Sequence, residues 1–360
     1  LQRLATLAVV LAGCHGADSA SRYLEDASFR RESLVASLVN PDNGYSRLRV
    51  AHYATGAAGD WDALPIFNPP VATIDSDGNR RDDEHALDLA TAMGSIEQRP
   101  LGEEAFFRYP VQLVSAAVGA SAGALVSARL SDGTNRIALT CASCHARVVD
   151  GALVPGLSNE AIDLGWGKGR INVSAPGDEP IAIPDLRVTA LEAYLHRDGT
   201  VRNNGVVALA IRIETLIITS HAGTVRPPRE VALALAMWLT SLAPPPPMAA
   251  PAGSAAATGA QLFAQRCAGC HVPPAFAGPI VPLEIIGTDA LVGLSSDRGT
   301  GGYRVPSLRG VSTRGRLLHD SSVSDPAMLF DPGRAVTGHE FGLDLAPDDR
   351  NALLAYLATL

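Results

Sequence analysis

Cysteine is scarce: five in 360 residues, too few for a disulfide-stapled scaffold. Charge is sparse as well. Only 18% of the residues are charged, the formal net charge is -8, and no basic block is present to neutralise phosphates, which excludes nucleic acid as a partner. Aromatic residues make up 5% and there are four methionines, so thioether ligands for a metal are few. Glycine and proline are plentiful instead, at 34 and 25, and both punctuate helices and strands, so much of the chain must be turns and ordered loops. A hydrophobic content of 47% with a mean hydropathy of +0.13 suits buried cores, and the length allows two or three domains.

Four of the five cysteines fall into two short motifs: Cys141-Ala-Ser-Cys144-His145 and Cys267-Ala-Gly-Cys270-His271. Thiols spaced in this way lie about one helical turn apart. They can add across the two vinyl groups of a haem and fix it by thioether bonds, while the next residue, a histidine, lies under the iron as its fifth ligand. A redox-active dithiol needs no histidine after each second cysteine, and a structural zinc site needs four thiolates brought together. The expected cofactors are two covalently attached c-type haems, held by Cys141, Cys144, His145, Cys267, Cys270 and His271.

The fifth cysteine, Cys14, ends "LQRLATLAVVLAGC". A basic Arg3 and a short apolar run match the apolar part of an export signal and are too short to span a bilayer. The ending "LAGC" resembles a bacterial lipobox, which makes Cys14 a lipidation candidate and residues 1–14 a signal peptide. Export agrees with c-type haem, whose attachment in bacteria takes place outside the cytoplasm. The expected location is the periplasmic or outer-surface side of a bacterial membrane, with the lipid as anchor and redox proteins as partners.

A proline-rich run over 243–259 reads as a semi-rigid spacer. It separates an N-terminal haem domain (21–242, of which 21–136 is an unassigned extension) from a C-terminal cytochrome c domain (260–360). Residues 28–39 have the pattern of an amphipathic helix, "GAQLFAQRCAGCH" reads as a helix running into the second motif, and Ile137 to Thr140 suit a short strand before the first. The two domains repeat one another. Pro184, Leu186, Arg187, Leu195 and His196 match Pro306, Leu308, Arg309, Leu318 and His319 with one residue of slip. Farther on, His221 and His339 each precede a helical stripe ending at Leu242 or Leu360, with Pro228 and Pro347 in the first turn.

This repeat nominates His221 and His339 as sixth iron ligands opposite His145 and His271. His196 and His319 are rivals for that role or for a supporting one, and Met328 competes for the second iron. Met237 reads as a packing residue, His52 and His85 as surface or core histidines, and Glu192 and Glu340 as surface carboxylates.

The order "VPSLRGV…LLHDSSV…GHEFGLDL" resembles the di-haem cytochrome c peroxidase superfamily and its rubber-oxygenase-like relatives, over residues 130–360. The resemblance implies a mainly α fold with long irregular loops and two cytochrome-c-like haem domains related by internal duplication. It implies that His339 is the distal histidine of the C-terminal haem, and that in such proteins one haem relays electrons while the other, usually the N-terminal one, has an accessible iron. Ser321 stands where the family has glycine, and the first 120 residues match nothing in it. The expected function is electron transfer through two haems; the alternative is a di-haem peroxidase or oxygenase with an open first iron, for which no acid/base residue is legible.

Overall fold

The computed structural model describes residues 18–55, 73–74, 80–81, 100–114, 125–129, 135–159, 182–220 and 226–360. Cys14 and its signal-like segment, His85, Met93 and His221 lie outside these residues. Within them helix well exceeds strand, in keeping with a mainly α chain, and five small antiparallel sheets accompany the helices.

Helix α1 (Ala27–Ala36) begins one residue before the expected amphipathic segment and ends within it. It begins at Asp26, whose carboxylate accepts from the amides of Ser28 and Phe29 at 2.8 and 3.1 Å, an N-cap that satisfies orphan donors. Then come α2 (Gly44–Thr55), the two-residue strands β1 (Thr73–Ile74) and β2 (Arg80–Arg81), and α3 (Leu101–Arg108). Strands β3 (Gln112–Val114), β4 (Leu125–Arg129) and β5 (Asn135–Leu139) form a sheet with β5 in the middle. It delivers the chain to α4 (Cys141–His145), which is followed at once by the hairpin β6 (Ala146–Val149) and β7 (Ala152–Pro155).

The short pair β8 (Tyr194–Leu195) and β9 (Val201–Arg202) precedes α5 (Val206–Ser220), which is buried around most of its circumference. That accounts for its Ile-rich, nearly uncharged sequence. Its one buried acid, Glu214, accepts from the hydroxyls of Tyr23 (2.6 Å) and Tyr53 (3.2 Å) and pairs with Arg226 at 2.5 Å. His52 meets Thr219 on the same helix at 3.2 Å. Helix α6 (Arg229–Ser241) completes a core built from Phe106, Phe107, Ile211, Ile217 and Leu235, among others.

A second core, around Phe263, Phe276, Leu353 and Leu357, is closed by α7 (Ala255–Arg266) and α10 (Pro347–Leu357). Between these lie α8 (Leu283–Ile286), α9 (Pro326–Leu329) and the strands β10 (Ile280–Pro282) and β11 (Gly302–Arg304). The spacer is shorter than 243–259. Ser254 caps α7 through the amide of Ala257 (3.2 Å), so residues 255–259 are already helical. The proline run does not hang free either: the Met248 amide donates to Thr359 O at 2.7 Å, and Arg309 donates to Pro245 O at 3.3 Å.

One helix crossing occurs twice. Gly102 on α3 packs so tightly on α6 that a Cβ there would stand 2.2 Å from Ala234 O, and Gly259 on α7 packs on α10 with the Ala352 O at 1.9 Å. Four residues on from each glycine, Phe106 meets Trp238 with ring centres 4.6 Å apart, and Phe263 meets Tyr356 at 5.3 Å. Only glycine permits so close an approach. Helix α3, which lies in the unassigned extension 21–136, thus makes the same kind of glycine crossing as α7.

Candidate functional site

The two Cys-x-x-Cys-His turns are reached from different elements. The first is a five-residue helix fastened by a capping box in which the Thr140 amide donates to Ser143 Oγ at 3.0 Å, after strand β5 rather than a helix. Its exit is held by Asn159, which donates to Ser143 O and Cys144 O, both at 2.9 Å. The second motif follows α7 directly: Cys267 caps that helix, and the His271 amide closes the turn on Cys267 O at 2.9 Å.

In both turns the histidine is oriented through one ring nitrogen. His145 Nδ1 lies 3.0 Å from Pro184 O. His271 Nδ1 lies 3.1 Å from Phe276 O, and the Pro306 carbonyl also bears on that ring. A carbonyl oxygen only accepts, so Nδ1 carries the proton in each case and the Nε2 lone pair is left for a Lewis acid. Burial pushes His145 down to about 4, against smaller upward effects of Pro184 and Asp185, and pushes His271 to about 4 likewise. Both imidazoles are therefore neutral at pH 7, the form that ligates metal.

The four thiols are free and half-buried. Burial pushes Cys141 and Cys144 up to about 12 and Cys267 to about 11, opposite to the lowered values of redox-active dithiols. Among the described residues no three or more His, Cys, Asp or Glu side chains are placed to share an ion, as a zinc site requires. A c-type haem asks for less, two thiols and one or two axial ligands, and the residues at both turns fit that group.

Of the residues proposed opposite the turns, His339 is brought to His271: the ring centres are 6.4 Å apart and inclined by 63°. Its loop is rigid. The His339 amide donates to Ile286 O at 2.7 Å, and Arg334 donates to the Gly338 and His339 carbonyls at 2.6 and 3.0 Å. Met328 is elsewhere engaged, its sulfur accepting from Ser324 Oγ at 3.4 Å. Met237 does not pack: it is 56% exposed on α6.

His196 and His319 are not counterparts. The left-handed residues are His196 and Gly199 in one loop and Leu318 and Ser321 in the other, and Leu195 pairs with Val201 just as Leu317 pairs with Val323. The two loops therefore match without a gap, and the one-residue slip is corrected: Leu318 answers His196, and His319 answers Arg197. Ser321 answers Gly199 in the left-handed region, where glycine is the unstrained residue. His196 is hemmed by Arg212 and Arg298 on its two ring nitrogens, while His319 stacks on Tyr303 with centres 4.3 Å apart.

Glu192 is not a surface carboxylate. It is buried, pairs with Arg304 and accepts from the Ser307 amide at 3.1 Å. Glu340 is exposed, as expected. No family model, curated protein or solved structure matches the chain. No described helix is long and apolar enough to cross a membrane.

Proposed function

We propose that the protein is an exported di-haem c-type cytochrome that passes electrons between redox partners, with Cys141/Cys144 and Cys267/Cys270 as attachment points and His145 and His271 as proximal ligands. The observation that carries the reading is the His271–His339 pair. Two imidazoles bound to one iron, each nitrogen about 2.0 Å away as in other metal–imidazole bonds, have ring centres roughly 6 Å apart, and the observed separation is 6.4 Å. His339 is accordingly the proposed sixth ligand of the second iron, and by the repeat His221 that of the first. A bound haem supplies one-electron Fe(III)/Fe(II) cycling.

The chain's own contribution is orientation and exclusion of water. The Pro184 and Phe276 carbonyls hold the proximal rings, and the Arg334 loop holds His339. The repeated helix crossing and the matching loops support two cytochrome-c-like domains related by duplication. Lipidation at Cys14 would place them at a membrane face.

The test is a pyridine haemochrome assay with EPR of the ferric protein. The expected result is two haems per chain, both low-spin, with His339→Ala turning one of them high-spin. Fewer than two haems, or an unchanged His339→Ala spectrum, overturns the assignment. A high-spin signal in the wild type would instead mean an open iron at His145 and favour the peroxidase or oxygenase alternative.

A further inference from the structure

Where the two halves meet, α2 is clamped to the C-terminal one: the Gly44 and Tyr45 amides donate to the Ser296 and Asp297 carbonyls at 2.9 and 2.7 Å. This carries Arg49 into the interior, where it has no exposed surface. Its Nε donates to Thr215 Oγ1 at 3.1 Å, but Nη1 and Nη2 are buried with no partner. Beside it, Arg212 on α5 donates from Nε to His196 Nε2 at 2.6 Å, and its Nη1 is likewise buried and unpartnered. Arg298 comes from the C-terminal half, lying 4.3 Å over the Tyr45 ring with Nη1 at 3.3 Å from His196 Nδ1.

The charges do not balance. Asp198 faces Arg298, with Oδ2 at 3.9 Å from Nη1, and Glu192 pairs with Arg304, whose charge also reaches His196. Asp198 also bears on Arg212, so one carboxylate is shared by Arg212 and Arg298, and among the described residues none is paired with Arg49. His196 cannot compensate, because burial and then Arg212, Arg298, Arg49 and Arg304 hold its pKa well below the usual range and keep it neutral. A buried guanidinium without a counter-charge is heavily penalised, whereas convergent guanidinium N–H groups match the two oxygens of a carboxylate.

We propose that Arg49, Arg212 and Arg298 form a buried oxyanion site that receives a propionate carboxylate of a haem, a proposal that rests on the di-haem reading. The His196 loop follows closely in sequence from Pro184, whose carbonyl orients His145, so the haem of the first turn is the nearer source in the chain. The second domain has no equivalent, since Leu318 stands at the position of His196.

The experiment uses the intact holoprotein with haem carrying ¹³C at the propionate carboxyls. Infrared difference spectroscopy should show one labelled carboxylate that stays ionised as pH falls through the ordinary carboxylate range. Arg49→Met should shift that band and lower one midpoint potential, since removing a nearby positive charge favours the ferric form. Arg49→Lys should largely preserve the potential.

Wild-type propionates that all titrate in the ordinary range overturn the proposal, whether or not the variants fold. So does a two-haem Arg49→Met protein with an unchanged band and potential. A diffusible anion is the rival source: a melting temperature that rises with added formate, together with unshifted propionate bands, assigns the site to it and also refutes the proposal. The haemochrome assay separates these failures from failure of the di-haem reading, which shows as missing haem.

Discussion

Gly259→Ala puts the α7–α10 crossing to a quantitative test. By helix propensity alone, alanine in place of glycine inside a helix stabilises by about 1 kcal/mol. In this structure the new Cβ would stand 1.9 Å from Ala352 O and 2.8 Å from the Tyr356 Cβ. The first contact is with backbone, which has no rotamer to change, so the helices must part by more than an ångström. That would loosen Phe263, Leu353 and Leu357, which are all buried between them. Overpacking of a well-filled core costs about 1–3 kcal/mol or more, and here it comes on top of the propensity gain it must cancel. A backbone contact this short puts the cost at the top of that range, so the expected net effect is a loss of about 2 kcal/mol, a large part of the roughly 5–15 kcal/mol that holds a domain together.

Guanidinium denaturation of the holoprotein, followed by far-UV circular dichroism, measures it. Thr258→Ala, next door on the exposed face, serves as control and should be neutral or slightly stabilising. Because the clash is with a carbonyl and not a side chain, Ala352→Gly should not rescue Gly259→Ala. A Gly259→Ala protein at least as stable as wild type, or one rescued by Ala352→Gly, would refute the close crossing. Gly102→Ala, facing Ala234 O at 2.2 Å, should behave in the same way.

Four other outcomes are expected. His196 is half-buried among arginines with its pKa lowered, so below about 6.5 the unfolded chain takes up a proton that the folded one refuses. Stability therefore falls as pH drops below about 6.5; His196→Asn should remove about one proton from the slope of a pH series of denaturation curves. Ser321 sits at φ 63°, so Ser321→Gly should stabilise by about 1 kcal/mol, seen as a raised melting temperature. Gly199→Ala should destabilise, because its Cβ would meet Ile280 at 2.6 Å. Arg187 grips the buried Asp185 from Nε and Nη2 at 2.9 and 2.6 Å, so Arg187→Met should cost about 3–5 kcal/mol by leaving that carboxylate with less support, measured as a shifted denaturation midpoint.

The sequence by itself determined what is local. Each Cys-x-x-Cys-His is one turn of backbone, so spacing alone sets the thiols and histidine side by side. Helices α6 and α10 were legible because an apolar stripe at helical period follows a proline that starts it, and α1 because its amphipathic pattern acts within a few residues.

What only the tertiary structure decided is non-local. Helix α3 packs on α6 through Gly102 and Phe106 as α7 packs on α10 through Gly259 and Phe263, a signal present in the sequence as Gly-x-x-x-Phe in both places but separated from Cys141 by the strands β3 to β5. The match of the two loops rested on histidine identity, which pointed to the wrong register, whereas backbone handedness set the right one. The burial of Glu192, the approach of His339 to His271 and the arginines around His196 all depend on which segments fold against each other. Charge and polarity in a sequence state a residue's preference for water, and only the completed interior shows where that preference has been overruled.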